Sequence, residues 1–229
     1  MAEQRRKFTG RPAGDSGQAD PKVTQALNNW QQGSSSEHEA LRALAATRFL
    51  VPVVAVLTVQ DQETKADKES EMALPTLIGN DGRAAIIAFT GVETMTRWRP
   101  DARPVATPAA RLWHAGVTEG QAVVIDVAGP SPFVVEGARL ASLARGEEPP
   151  LPHEDPDVRA VVEEAVAADP AITGYALASS PGNADLAVTL LLANAAATEA
   201  ARQVAQSIAL ALAPRLRRGI ELNAVQSPT

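Results

Sequence analysis

Cysteine is absent from the 229 residues, which removes disulfides, thiolate nucleophiles, iron–sulfur clusters and cysteine-ligated zinc. Aromatic residues make up only 3%, and lysines number four against seventeen arginines. No apolar run reaches the roughly 18 residues that a membrane helix needs, and none follows Arg5, Arg6 and Lys7 as a signal peptide requires. The expectation is a cytoplasmic protein with no membrane partner. A formal net charge of −6 disfavours general nucleic-acid binding, because neutralising phosphates takes Lys and Arg. Only the short basic stretch with Arg5, Arg6, Lys7 and Arg11 offers an exception. His38, His114 and His153 have no companion ligand at helical spacing, so no metal is expected. The phosphate-binding loop, the dinucleotide fingerprint and the nucleophile elbow are missing too, so no cofactor is expected and no catalytic residue is assigned.

What is present is 45% hydrophobic residues, enough for a substantial core. Residues 1–19 carry no periodicity and read as a disordered tail; within them Gly14-Asp15-Ser16-Gly17 reads as a turn ahead of a helix cap. Asp20-Pro21 opens a short helix with Val23, Leu27 and Trp30 on one side. Ser34 with Glu37 has capping-box spacing for a second helix carrying Leu41 and Leu44. Phe49–Val59 is a Val-rich run that predicts a buried strand, with Pro52 placing it near an edge or bulge. Helices are expected over 91–98, 108–117 and 138–145, and strands over 122–127 and 133–136.

The acidic, Pro-rich residues 147–156 mark a linker between a first domain over 20–146 and a second over 157–229. In the second, Asp155 caps a helix that begins at Pro156, strands follow at 172–178 and 186–193, an Ala-rich helix spans 196–213, and Ile220, Leu222 and Ala224 alternate as a last strand. The fold class is therefore α+β: a mixed sheet with helices packed mainly on one side, then a smaller α-β-β-α-β unit. A single open sheet running through both units is one arrangement this order allows.

The run Ser70–Trp98 is the most specific. Met72–Ile78 and Arg83–Phe89 flank Gly79-Asn80-Asp81-Gly82, whose residues tolerate the positive φ angles of a tight hairpin. Antiparallel pairing about that turn places Glu71 opposite Thr90 and Gly91, where the next helix begins. Thr90 with Glu93 then has capping-box spacing, and a carboxylate there gains about 0.3 to 1 kcal/mol from the helix dipole. Arg97, Trp98, Arg99, Asp101 and Arg103 form the densest Arg and Trp group of the chain, a composition enriched at interface hot spots but equally natural at a helix end beside a buried Trp.

Taken together, Gly14-Asp15-Ser16-Gly17 with Ala19-Asp20-Pro21, FLVPVVAV from Phe49, SEMALPT from Ser70, DGR from Asp81, AFTGVE from Ala88, RWRPDARPV from Arg97, Glu119-Gly120, and Asp126 with Gly129-Pro130 resemble the SseB family. The resemblance covers most of residues 10–146. It implies a mixed α+β N-terminal domain, a bacterial cytoplasmic setting and a loose link to serine sensitivity, with no reaction attached. The expected function is a non-catalytic binding or regulatory protein that engages a protein partner or a small metabolite, a homodimer being one form open to it. The candidate binding residues are Glu71, Thr90, Arg97, Trp98, Arg99, Arg103 and Asp126. The competing expectation is an enzyme on a small amino-acid-like substrate, with Asp126 or Glu71 as general base and Arg103 holding a carboxylate; it requires those three side chains to converge.

Overall fold

Asp20 starts the first helix as predicted: its carboxylate accepts from the Lys22 amide at 2.8 Å, and α1 (Pro21–Gln31) buries Val23, Leu27 and Trp30. The computed structural model describes residues 15–56, 71–73, 76–79 and 82–226. Helix α2 (Glu37–Ala45) is capped two residues later than expected. The box is Ser36 with Glu39, because the Ser34 hydroxyl donates to the Asn29 carbonyl and Glu37 is drawn into a buried ion pair.

Strand β1 (Arg48–Val56) lies between β2 (Glu71–Ala73) and β5 (Arg103–Pro108), antiparallel to both. Strand β5 is absent from the sequence reading. Its two prolines argue against a strand, yet Pro104 sits opposite Pro52 of β1, so neither ring lacks a partner in kind. A second, four-stranded sheet runs β3 (Thr76–Ile78), β4 (Ala84–Ala88), β6 (Ala122–Ile125), β7 (Phe133–Val135), with β4 and β6 parallel and the outer pairs antiparallel. The two sheets meet where Leu50 and Phe89 exchange both backbone hydrogen bonds, at 2.8 and 2.9 Å.

Helices α3 (Val92–Trp98), α4 (Ala109–Glu119) and α5 (Gly137–Arg145) complete this domain. Its core gathers α1, α2, α4 and α5 around Phe49, Phe133 and Trp113, with edge-on contacts between Trp30 and Phe133 at 4.6 Å and between Phe49 and Trp113 at 5.2 Å.

The hairpin is present, but it is shorter than expected. Thr76 pairs with Ile86 and Ile78 with Ala84, in the predicted register, while Asn80 and Asp81 of the turn lie outside the described residues. Glu71 does not continue that ladder. Its backbone pairs with Val56 in the other sheet, six residues along β1 from Leu50 and so roughly 20 Å from the Phe89 junction. The reason is competition for pairing: β1 offers an edge to residues 71–73, while residues 76–78 pair with β4.

The C-terminal unit has the expected order: α6 (Pro156–Ala167), β8 (Ile172–Ala178), β9 (Leu186–Leu192), a 3₁₀ turn (Ala195–Ala197), α7 (Thr198–Leu212) and β10 (Ile220–Gln226). Its sheet, β10-β9-β8, is separate from the others, so the arrangement with one sheet through both units is not the one adopted, and Val158, Val162, Leu186, Val188, Leu190, Ile208 and Leu212 form its own core. An ionic seam joins the two units. Arg139 of α5 pairs with Glu37 of α2, and Arg215, after α7, reaches Glu37 at 3.0 Å and Asp155 at 2.5 Å. Asp155 is fully buried, so the supposed linker ends as an anchored helix cap. Burial pushes the Arg139 guanidinium down from its ordinary pKa. Burial acts in the same sense on Arg215, but Glu37 and Asp155 outweigh it and leave Arg215 raised.

Candidate functional site

The junction between the two N-terminal sheets is built around Asp126. As β6 ends, the Asp126 amide still bonds to the Ala88 carbonyl at 2.9 Å, and the residue then turns at φ +50°, a left-handed angle that aspartate tolerates better than most residues. This directs its carboxylate at the start of α3. Oδ1 accepts from the Thr90 amide at 2.9 Å and the Thr94 hydroxyl at 2.5 Å, and Oδ2 accepts from the Thr90 hydroxyl at 2.6 Å. Asp126 and Thr90 are each only 5% exposed. All three donors are neutral, and no Lys or Arg forms an ion pair with Asp126 among the described residues.

The expected Thr90 and Glu93 capping box is therefore not formed. The Thr90 hydroxyl is committed to Asp126, Gly91 is the N-cap without a side-chain bond, and Glu93 turns outward to Arg97 at 2.7 Å. Helix α3 is capped from elsewhere: the Val92 amide donates to the Gly17 carbonyl at 2.8 Å. Gly91 has to be glycine for this contact, since a Cβ there would stand 2.8 Å from the Ala19 nitrogen.

Residues 15–19 are consequently docked rather than disordered, and this corrects the C-terminal end of the expected tail; residues 1–14 lie outside the described residues. Asp15 closes a turn onto the Gly17 amide at 2.8 Å, and Arg48 clamps it with Nε at 2.9 Å and Nη2 at 3.0 Å. The same guanidinium donates to the carbonyls of Thr90 at 2.6 Å and Gln18 at 2.5 Å. One arginine thus ties the incoming segment to the α3 junction.

Between these parts lies a cleft of about 470 Å³. Its walls are residues 16–19, the Thr24, Leu27 and Asn28 side of α1, residues 90–94 with Arg97, and Pro130-Ser131, and Asp126 also lines it. Ser131 donates to the Asn28 side-chain oxygen at 2.7 Å across one end.

Of the residues singled out from sequence, Thr90, Arg97 and Asp126 meet at this cleft. Glu71, on β2, does not share its junction. Trp98 packs half-buried against Phe89, 5.6 Å between ring centres, and Arg99 pairs with Asp101 at the surface. Arg103 is exposed on β5 opposite Val53, across β1 from the strand that carries Glu71. The backbone thus places Glu71, Arg103 and Asp126 on three different elements, β2, β5 and the end of β6.

Arg48, Asn28 and Ser131 went unnoticed in the sequence. Arg48 closes an expected helix and offers no motif, and the pairing of Asn28 with Ser131 spans 103 residues. Among the described residues no group of His, Asp and Glu is placed to hold a metal, and no helix is long and apolar enough to cross a membrane.

No curated protein and no solved structure matches the chain. The model of the SseB protein N-terminal domain matches residues 23–142, just over half of the chain. That stretch runs from α1 into α5 and supplies every wall of the cleft except the docked segment 16–19. The chain belongs to the SseB family.

Proposed function

We propose that this protein is a non-catalytic binding or regulatory protein whose ligand is a small polar metabolite held in the cleft at the α3 junction. The observation that carries this reading is the cleft itself: a concavity of about 470 Å³, within the range of small-molecule sites, assembled from four separated segments and ordered by one buried carboxylate. Asp126 spends three acceptor positions on Thr90 and Thr94, which makes it a clamp on the cleft wall with little acceptor capacity left for a substrate. Among its described lining residues are hydroxyls, main-chain groups, Asn28 and the Glu93 and Arg97 pair, and no His, Lys or Tyr. Such a lining suits hydrogen bonding to a zwitterion or polyol better than proton transfer. The bacterial cytoplasm and the serine link come with the family resemblance, and they make small hydroxylated amino acids the first compounds to try.

The test is a thermal-shift screen of the full chain against amino acids and related polar metabolites. A true ligand at about 100 times its dissociation constant stabilises the native state by roughly 2.7 kcal/mol. Thr24→Trp, at an exposed α1 position on the cleft, should abolish that shift. A panel that leaves the wild type unmoved, or a shift that Thr24→Trp retains in full, contradicts the reading.

A further inference from the structure

We propose that the C-terminal unit controls the cleft by gripping the far end of α1, an inference that rests on the cleft being the ligand site. Helix α1 serves two places at once. Thr24, Leu27 and Asn28 form one wall of the cleft, and three residues on, Trp30 is held by the segment between α7 and β10. The buried indole donates from Nε1 to the Arg215 carbonyl at 2.9 Å, and the Arg217 guanidinium stands 4.9 Å from the ring centre. Just past the helix, Gly33 turns at φ +69° against the same segment, where a Cβ would lie 3.1 Å from the Arg217 carbonyl oxygen.

The ring also touches the strand that follows the opposite wall. Trp30 meets Phe133 edge-on at 4.6 Å, and Phe133 follows Ser131, whose hydroxyl closes the cleft onto Asn28. Trp30 is therefore packed against Phe133 of β7 on one side and against the C-terminal unit on the other. The Arg215 side chain holds that unit in place by reaching Glu37 and Asp155. Any signal that loosens the 215–217 segment, including occupation of the C-terminal unit by its own partner, frees α1 and the 130–133 segment together, and so changes the width of the cleft. A ligand that orders the cleft must by linkage tighten the seam.

Amide hydrogen exchange on the full chain tests this without a ligand. Arg217→Ala removes an exposed guanidinium and leaves the core intact; peptides covering 21–28 and 128–133 should exchange roughly two- to fivefold faster, the range that loss of one cation–π contact allows. Gly33→Ala should act in the same direction. Peptides over 109–119 should not change, and Tyr175→Phe, which removes a hydroxyl bonded to Glu163 within the C-terminal unit, should leave the cleft untouched. Wild-type exchange at 21–28 and 128–133 in both seam variants overturns the coupling, and so does an equal rise over 109–119 or in Tyr175→Phe. Faster cleft exchange in the seam variants while the metabolite panel fails on the wild type supports the coupling and sinks the ligand reading, so the two failures are told apart.

Discussion

At the scale of single residues, Asp126 carries the site. A buried carboxylate with three neutral donors is stable only while those donors stay in place, since an orphaned acceptor keeps its full desolvation penalty. Thr94→Val retains the shape of the side chain and removes one donor; it should cost about 1 to 2 kcal/mol in urea denaturation. Arg48→Lys should do less to global stability and more to the docked segment. Lysine cannot bridge Asp15 through two nitrogens while reaching two carbonyls, so limited proteolysis should cut near residues 15–19 faster in the variant than in the wild type. These roles were only partly legible. Thr90 and Asp126 each stand at a strand end that the sequence predicts, but their meeting depends on the parallel pairing of β4 with β6, which no local pattern specifies. The sequence places Glu71 at this junction by extending one hairpin from residue 78 back to 71, whereas residues 71–73 pair with β1 and residues 76–78 with β4.

Elements were more readable than contacts because periodicity and capping are local. The Asp20-Pro21 and Asp155-Pro156 starts, the hairpin register and the C-terminal α-β-β-α-β order all follow from such signals. Strand β5 was hidden because its two prolines and the preceding Arg and Trp residues mask the extended backbone that pairing with β1 selects. The cap of α2 was expected at Ser34 with Glu37, but Ser36 with Glu39 has the same spacing and forms the box, while Glu37 joins the seam.

That cap makes a pH prediction. The Ser36 amide bond to Glu39 is the main cause holding its carboxyl below the ordinary glutamate range. A lowered folded-state pKa gives stability that is present above about pH 4.5 and lost as the pH falls through the folded value. Solvent exposure limits this to a few tenths of a kcal/mol. Denaturation curves of wild type and Glu39→Gln should therefore differ near neutral pH and converge as acid protonates the wild-type carboxyl.

For the whole molecule, two cores share one buried ionic seam. Arg215→Met would strand Glu37 and Asp155 without one of their cations, a change that costs about 3 to 5 kcal/mol when a buried pair loses a partner. Because each unit keeps its own apolar core, the loss should appear as separation of the denaturation curve into two transitions, with a single transition expected of the wild type. This arrangement was invisible in the sequence, where residues 147–156 look like a solvated connector and Arg215, which meets both Asp155 and Glu37, lies 60 and 178 residues away from them.

The central claim is that the cleft at the α3 junction is where this protein meets its ligand. An amide-resolved NMR titration of the full chain, with the compound giving the largest thermal shift, tests it most directly. The account predicts saturable shifts confined to residues 16–19, 24–28, 90–94 and 126–131. Saturable shifts that fall elsewhere, on the C-terminal sheet or the Arg99 to Arg103 surface, with those amides unmoved, would contradict it.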